Sequence, residues 1–265
     1  MHDQLRAAAL IFVACLFIAP FSASAQPTAD EIVAKANLAA YYAGNDGRAS
    51  VTMTITDEQG RSRSREFVIL RRDQSDGGDQ AFYVYFKKPS DVRKMVFLVH
   101  KHIDKDDDRW LYLPALDLVK RIAASDKRTS FVGSNFFYED VSGRSPDDDS
   151  HELLETTAKD YVLKHTPKDP ASVEFSSYST WIDQATFMPT KAEYLDKEGR
   201  KYRVVEALEI KEIQGHPTVV KSRVQDLAAG SETVSVFEDV SYDLGLKEEI
   251  FTERYLRRAP SEVRK

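Results

Sequence analysis

The sequence predicts a mainly β protein in which antiparallel strands form a sandwich or barrel behind one N-terminal helix. About a dozen segments alternate apolar and polar residues and are joined by short turns, which is the spacing of such a fold. One amphipathic helix precedes all of them, and this asymmetry predicts a curved sheet with the helix packed against its face or mouth. The chain has no linker-like stretch or shift in composition, so we expect one domain.

The first 25 residues have the features of a secretory signal peptide. Arg6 supplies a small positive charge, residues 7–19 are apolar but too short to span a bilayer, and Ala23-Ser24-Ala25 fits a cleavage site. We therefore expect cleavage after Ala25, export to a bacterial periplasm, and a mature domain of residues 26–265. Residues 12–15 resemble a lipoprotein cleavage box only weakly. Because Cys15 is the only cysteine, the mature chain has no disulfide and no thiolate metal site.

The charge balance bears on the class of partner. The formal net charge is −6, whereas nucleic-acid binders usually carry a basic stripe. We therefore expect no nucleic acid among the partners. No later apolar run reaches the length of a membrane span.

A capping box marks the start of the N-terminal helix, with Thr28 at the N-cap and Glu31 three residues later. Gly44 suits the position just after the helix end. The pattern predicts a helix over residues 29–43. Its apolar face carries Ile32, Val33, Ala36, Ala40 and Ala43.

Nearly all of the remaining chain follows the two-residue period of strands, interrupted by polar and glycine-containing turns. Residues 250–256 are the exception, and we expect a helical turn there. The predicted strands are residues 51–56, 64–71, 82–87, 95–103, 109–113, 118–122, 153–158, 161–164, 173–182, 190–195, 203–213, 219–226 and 232–242.

Residues 108–143 form the central stretch of the chain. Three aromatic residues, 136–138, directly follow the loop-forming run Gly133-Ser134-Asn135. Three adjacent rings in a loop cannot all point the same way, so either the loop plugs the protein's own core or it lines an apolar ligand site. The candidate cavity or mouth residues are Trp110, Tyr112, Leu113, Phe131, Phe136, Phe137 and Tyr138.

Catalysis and metal binding have weak support. No Gly-x-Ser-x-Gly elbow accompanies the histidines, and Glu139 and Asp140 would point to opposite faces of a strand. We therefore expect no enzyme activity and no cofactor. His100 and His102 could share a strand face with Asp104 nearby, but such groups and the Asp-rich turns are usually solvated, so we expect no metal.

Several motifs together resemble the outer-membrane lipoprotein-sorting protein family, the LolA-like periplasmic carriers sometimes grouped with treponemal lipoproteins. The resemblance covers nearly the whole mature chain, although this chain is longer than the classical lipoprotein chaperone and has extra hairpin turns. The matching pieces are residues 30–33, 42–47, Trp110-Leu111-Tyr112-Leu113-Pro114, 120–122, 130–136, Tyr138-Glu139-Asp140, Pro189 with Lys191, Glu193 and Tyr194, and Phe251-Thr252.

This resemblance implies a half-open antiparallel β-barrel of about 10–12 strands, with helices over its concave apolar face. It also implies a periplasmic carrier or chaperone that moves a lipid or acylated lipoprotein toward the outer membrane. An inner-membrane RND-type exporter and an outer-membrane acceptor are then the expected partners. In this arrangement Ile32, Val33, Ala36 and Ala40 would be lid positions over the cavity.

Two other classes of function remain open at this stage. The same fold can sense a lipid or bind a partner protein in signalling, without a transport role. It can also recognise unfolded outer-membrane strands by pairing along a sheet edge. Lipid transfer between membranes would distinguish the carrier from the sensor, and peptide binding without lipid would indicate the assembly factor.

Overall fold

The computed structural model describes residues 26–264, so the predicted signal peptide lies outside the described residues. Thirteen strands form one sheet, and every neighbouring pair is antiparallel. The helices are α1 (Ala29–Tyr41), α2 (Tyr138–Ser142) and α3 (Ser261–Arg264). The strands are β1 (Asp46–Thr56), β2 (Ser62–Asp73), β3 (Gln80–Lys88), β4 (Val96–Lys101), β5 (Asp108–Leu113), β6 (Leu118–Ile122), β7 (Asp149–Thr156), β8 (Asp160–Pro167), β9 (Phe175–Asp183), β10 (Pro189–Asp196), β11 (Lys201–Ile213), β12 (His216–Asp226) and β13 (Ser231–Tyr242).

The mainly β class and the N-terminal helix are confirmed, and each predicted strand segment corresponds to one of the observed strands. The sheet has thirteen strands, slightly more than the 10–12 implied by the resemblance. Helix α1 ends at Tyr41, two residues before the predicted end, because Tyr42 leaves the helical region at φ −120° and ψ 24°. Gly44 adopts the left-handed conformation expected after a helix, with φ +64°. The predicted turn near the C-terminus consists of short 3₁₀ turns at Glu248–Phe251 and Glu253–Tyr255.

The order of the strands explains why the sheet stays open. The order is β6-β5-β4-β3-β2-β1-β13-β12-β11-β10-β9-β8-β7, so the chain starts in the middle and moves out to one edge. Residues 123–148, here called the crossover segment, then carry it to the opposite edge, from which it returns to pair β13 with β1. Edges β6 and β7 do not pair with each other, and the barrel is therefore not closed. Within residues 26–264, no helix combines the length and apolarity needed to cross a membrane.

The crossover segment and α1 cover one face of the sheet, here called the inner face. On β1 this face carries Ala49, Val51, Met53 and Ile55, whose alternation follows the strand period. The crossover segment lies on it: the Asn135 amide N–H donates to Thr233 on β13 at 3.0 Å. Inner-face side chains of β1–β6 and rings of the crossover segment therefore form one hydrophobic core.

The outer face of the first half of the sheet is also covered, by residues 246–263. Their apolar side chains pack on Val68, Leu70 and other outward-facing residues of β2–β5. The Tyr83 hydroxyl fixes this C-terminal cover by donating to the Tyr255 carbonyl at 2.7 Å. The strands of this half are thus buried on both faces, which explains the continuous buried run from Val96 to Val99.

Candidate functional site

An apolar cavity of about 420 Å³ lies on the inner face, where the end of α1, the crossover segment and the sheet meet. Its volume falls within the range of about 300–1,000 Å³ that is typical of small-molecule sites. Ala40 borders the cavity and is solvent-exposed, so the cavity opens beside the last turn of α1. Side chains of the sheet that line it include Ala49, Met53, Phe67, Ile69, Phe82, Val84, Val205, Ala207, Ser222, Ser235, Phe237 and Val240.

The aromatic residues of the crossover segment serve both as plug and as lining. Phe131 is 2% exposed, and its ring lies 5.5 Å from the ring of Phe97 and 5.8 Å from that of Phe86. Tyr138 packs edge-on against Phe131 at 5.6 Å. Phe131 and Phe136 also line the cavity. The two sequence-based interpretations of this loop, a plug and a cavity wall, are therefore compatible.

Phe137 points to a different environment from that of its two neighbours. Its ring stacks with the guanidinium groups of Arg128 and Arg203, at 4.8 Å and 4.5 Å from the ring centroid. Such stacking on buried guanidinium groups is favourable because the ring face is electron-rich. Phe137 thus lies over the polar part of the inner face, away from the apolar cavity.

The predicted lid positions of α1 divide between two places. Ile32, Val33 and Ala36 are buried against β8 and β9, where Tyr161, Leu163 and Ile182 form the contact. Val33, Ala36 and Ala40 also border a second cavity of about 170 Å³ beneath the helix. Ala40, Tyr41, Asp140 and Pro189 border both cavities, so the two adjoin.

The predicted residues on β5 are not brought to the cavity. Trp110 and Tyr112 lie on the outer face and pack with the C-terminal cover. Leu113 lies on the inner face, where it packs against the hydrophobic core. Neighbouring positions on a strand point to opposite faces, so a contiguous aromatic motif on β5 could not place all of its side chains in one cavity.

Two side chains of the sheet hold the C-terminal end of α1 beside the cavity. The Arg71 guanidinium donates to the carbonyl oxygens of Tyr41, Ala43 and Gly44, the last at 2.7 Å. The Gln80 amide also donates to the Tyr41 carbonyl, at 2.7 Å. These donors satisfy carbonyl groups that a helix end leaves without partners.

A buried charge cluster lies within the crossover segment, and one ion pair joins this part of the segment to the second half of the sheet. Glu139 is 2% exposed and contacts Arg128 at 2.5 Å, Lys127 at 3.3 Å and Arg144 at 3.4 Å. Burial raises the pKa of Glu139, but the three cations outweigh that effect and the pKa lies below its ordinary value. The Arg203 guanidinium forms a further pair with Asp140, at 2.5 Å.

Two imidazoles form a hydrogen-bonded pair at the wall of the second cavity. Their Nδ1 atoms, in His151 and His165, are 2.8 Å apart, so only one of the two can carry the hydrogen. The Thr180 hydroxyl lies 2.7 Å from Nε2 of His165. Burial, followed by the proximity of His151, lowers the pKa of His165 to about 3. His165 is therefore uncharged at neutral pH.

The motif Tyr138-Glu139-Asp140 is visible in the sequence, but the burial of Glu139 is not. The motif forms the first turn of α2, where the Asp140 carboxylate accepts from the Phe137 amide at 2.6 Å. The hydroxyl residues Ser222 and Ser235 in the cavity were also missed. Their signal was available on β13, where Ser231, Thr233 and Ser235 alternate along one face.

The histidines considered for metal binding have other partners. His100 Nε2 lies 2.6 Å from the Phe251 carbonyl, and His102 lies between Asp79 and Asp108 at 2.8 Å and 3.2 Å. Among residues 26–264, no group of three His, Cys, Asp or Glu side chains is placed to hold a metal ion.

Known structures share this architecture. A DUF1329 family protein from Desulfovibrio piger is 28% identical with a TM-score of 0.79, and the match covers 86% of this chain and 97% of that one. A putative outer membrane lipoprotein-sorting protein domain from Vibrio parahaemolyticus is 27% identical with a TM-score of 0.78, covering 87% and 98%. A LolA superfamily protein from Nitrosomonas europaea, 21% identical with a TM-score of 0.67, covers 87% and 100% and shows the shared fold.

The family of the chain follows from a match to a family model. A search of curated proteins finds no match. A family model described as uncharacterized-protein-like matches residues 78–258, which is more than half of the chain. The predicted resemblance to LolA-like lipoprotein-sorting proteins is confirmed. The chain therefore belongs to the family of this model and has the LolA superfamily fold, with DUF1329 and lipoprotein-sorting proteins as its structural relatives.

Proposed function

We propose that the mature chain, residues 26–265, is a periplasmic carrier that holds a lipid, or an acyl chain of a lipoprotein, in the inner-face cavity. The observation that carries this proposal is an apolar cavity that is built from the sheet, roofed by the crossover segment and open beside Ala40. A water molecule in the liquid occupies ~30 Å³. With the same volume for each carbon atom, the 420 Å³ cavity would hold about 14 carbons of one chain.

The energetics fit a carrier that must release its cargo. Each buried CH₂ group contributes about 0.8 kcal/mol relative to water, so even a partly buried chain is retained in aqueous solution. A membrane offers the chain the same gain, and a carrier therefore needs only to compete with the membrane. An open cavity beside a separately packed helix suits this exchange better than a closed, rigid pocket would.

The way in which α1 is attached to the sheet would allow the helix to act as a lid. Its apolar side chains pack on β8 and β9 above the second cavity, which adjoins the first. A chain longer than the first cavity could extend into the second if α1 moved away from these strands. Cargo and helix would then exchange cover of the same apolar surface.

Matched alanine positions on α1 test the lid. Ala36 is 5% exposed and borders the second cavity, whereas Ala34 on the same helix is exposed. We expect Ala36→Asp to reduce lipid loading several-fold without changing the circular dichroism of the sheet. Ala34→Asp should load like the wild type. Equal loading by the two variants would contradict the lid.

The carrier itself is tested by native mass spectrometry of protein purified from periplasm without detergent, followed by organic extraction. A discrete adduct of lipid mass would support the proposal and name the cargo class. A clean apo mass, with no uptake from labelled vesicles, would instead favour a protein-binding adaptor. Transfer to acceptor vesicles and crosslinking to an RND-type exporter would then test the transport step and its inner-membrane partner.

A further inference from the structure

A buried hydroxyl without a hydrogen-bond partner in the described part of the chain lies in the apolar wall of the cavity. Ser235 on β13 is 1% exposed, lines the cavity, and has no hydrogen-bond partner for its Oγ among the described residues. A hydroxyl that loses water without gaining a partner is unfavourable, which makes this position a point of attraction for a polar atom of a ligand.

The neighbours of Ser235 show that its isolation is specific to the cavity. Ser231 and Thr233 occupy the same face of β13, and both are satisfied by Asn135 of the crossover segment. The Asn135 side-chain amide donates to Ser231 at 2.8 Å, and Thr233 donates to the Asn135 side-chain oxygen at 2.7 Å. The crossover segment thus covers two hydroxyls of this row and leaves the third to the cavity.

A second hydroxyl lies directly across from the first. Ser222 on β12 is the cross-strand partner of Ser235, and it also lines the cavity. On the other side of Ser235, its cross-strand partner is Met53 on β1, an apolar lining residue. A ligand chain along the floor would therefore contact hydrocarbon on β1 and a pair of hydroxyls on β12 and β13.

The charges around the cavity are already compensated, which limits the kind of oxygen that fits. Arg71 donates to backbone carbonyls, Asp140 pairs with Arg203, and Glu206 accepts from Arg223 at 2.6 Å. Arg48 donates to the Glu262 carbonyl at 3.1 Å. An ionised headgroup would have to displace one of these partners, whereas an uncharged oxygen would not.

We propose that Ser235, with Ser222 beside it, forms a polar subsite for the carbonyl oxygen of an acyl ester or amide inside the apolar cavity. This inference rests on the proposed carrier function and makes it more specific. The Ser235 hydroxyl would donate to the carbonyl, the chain would follow the apolar wall, and any charged headgroup would remain outside. The cavity would then distinguish acyl derivatives from plain hydrocarbons of the same size.

The test compares two probes with equal numbers of heavy atoms, methyl undecanoate and tetradecane, each delivered from cyclodextrin. Their apparent affinities are measured by displacement of a naphthylamine fluorophore from the full mature chain. We expect Ser235→Ala to weaken ester binding relative to tetradecane binding roughly threefold to tenfold, which is the net value of one hydrogen bond. Tetradecane binding should stay unchanged in this variant.

A matched variant and two outcomes decide the matter. Ser231→Ala removes a hydroxyl from the same face of β13 outside the cavity, and it should keep the wild-type ratio of the two affinities. Thermal melting establishes that both variants are folded. If Ser235→Ala also keeps the wild-type ratio, the polar subsite is wrong and the carrier function stands. If neither probe displaces the fluorophore, the carrier function itself fails.

Discussion

The two halves of the inner face use opposite chemistry to bind the same crossover segment. On β1–β6 the face is almost entirely apolar, and the segment inserts Phe131 and Tyr138 into it. On β8–β11 the corresponding face carries histidine, tyrosine and arginine side chains. The segment meets them with Asp140, which pairs with Arg203, and with Arg128, whose guanidinium lies over the Tyr194 ring. One half therefore holds the segment by burial of rings, the other by buried ion pairs and hydrogen bonds.

This difference explains the position of the cavity. The apolar half can exchange one hydrocarbon group for another at little cost, because its contacts are non-directional. The polar half cannot, because a buried charge that loses its partner is strongly destabilising. The crossover segment is therefore fixed where it contacts β8–β11 and can adapt where it contacts β1–β6. The cavity lies beside the contact with β1–β6.

The largest effect should come from the apolar half. We expect Phe131→Ala to lower the free energy of unfolding by about 4 kcal/mol, because it removes a fully buried ring from the aromatic cluster. Phe136→Ala is the matched control and should cost less, since that ring is only partly buried. Urea denaturation measures both losses. Equal losses would mean that Phe131 is not the central plug.

The polar half should be nearly as sensitive. Glu139→Gln keeps the volume but removes the charge that Arg128 and Arg144 share, and we expect a loss of about 3 kcal/mol. This expected loss lies at the low end of the range for breaking a buried ion pair, because both arginines keep a second carboxylate partner. Glu174→Gln, at the 41%-exposed partner of Arg128, should cost less than about 1 kcal/mol in the same urea experiment. A similar loss of unfolding free energy for both variants would contradict a stabilising role for the buried charge of Glu139.

The imidazole pair should make the stability of the polar half depend on pH. The folded-state pKa of His165 is about 3, below the ordinary value of 6.5, so between these limits the unfolded chain binds a proton that the folded chain does not. The free energy of unfolding should then fall by up to about 1.4 kcal/mol per pH unit as the pH drops below 6.5. His165→Phe, which keeps a ring against Tyr178, should show a shallower slope from pH 6 to 4. Parallel slopes would exclude His165 as the source.

The smallest effect tests the attachment of α1. The Thr28 hydroxyl accepts from the Glu31 amide at 3.2 Å, and the Glu31 carboxylate accepts from the Thr28 amide at 2.8 Å. We expect Thr28→Ala to cost about 1 kcal/mol, because it removes one half of this capping box. Hydrogen exchange should show faster opening of α1 with unchanged protection of the central strands. Unchanged exchange in α1 would show that packing alone holds the helix.

Much of the fold could be predicted because each strand has an alternating pattern in its own local sequence. Val51, Met53 and Ile55 alternate with threonines, so both the strand and its buried face follow from the order of residues. The candidate site was harder to predict, because Trp110 and Tyr112 look like cavity residues but face the C-terminal cover. A strand pattern states that two faces differ, but it does not say which part of the chain will cover each face.

The sequence by itself determined the strands, their turns, the capped helix and the aromatic character of the crossover segment, because all of these depend on neighbours in the chain. Only the tertiary structure decided that β1 pairs with β13, that the sheet stays open at β6 and β7, and that the crossover segment spans the inner face. It also decided that Glu139 is buried among cations and that Ser235 faces a cavity. The pairing of β1 with β13 joins residues almost 200 positions apart, and it is set by the arrangement of whole strands and not by any local period. Glu139 and its cations are close in the chain, but only the fold of the crossover segment buries them together.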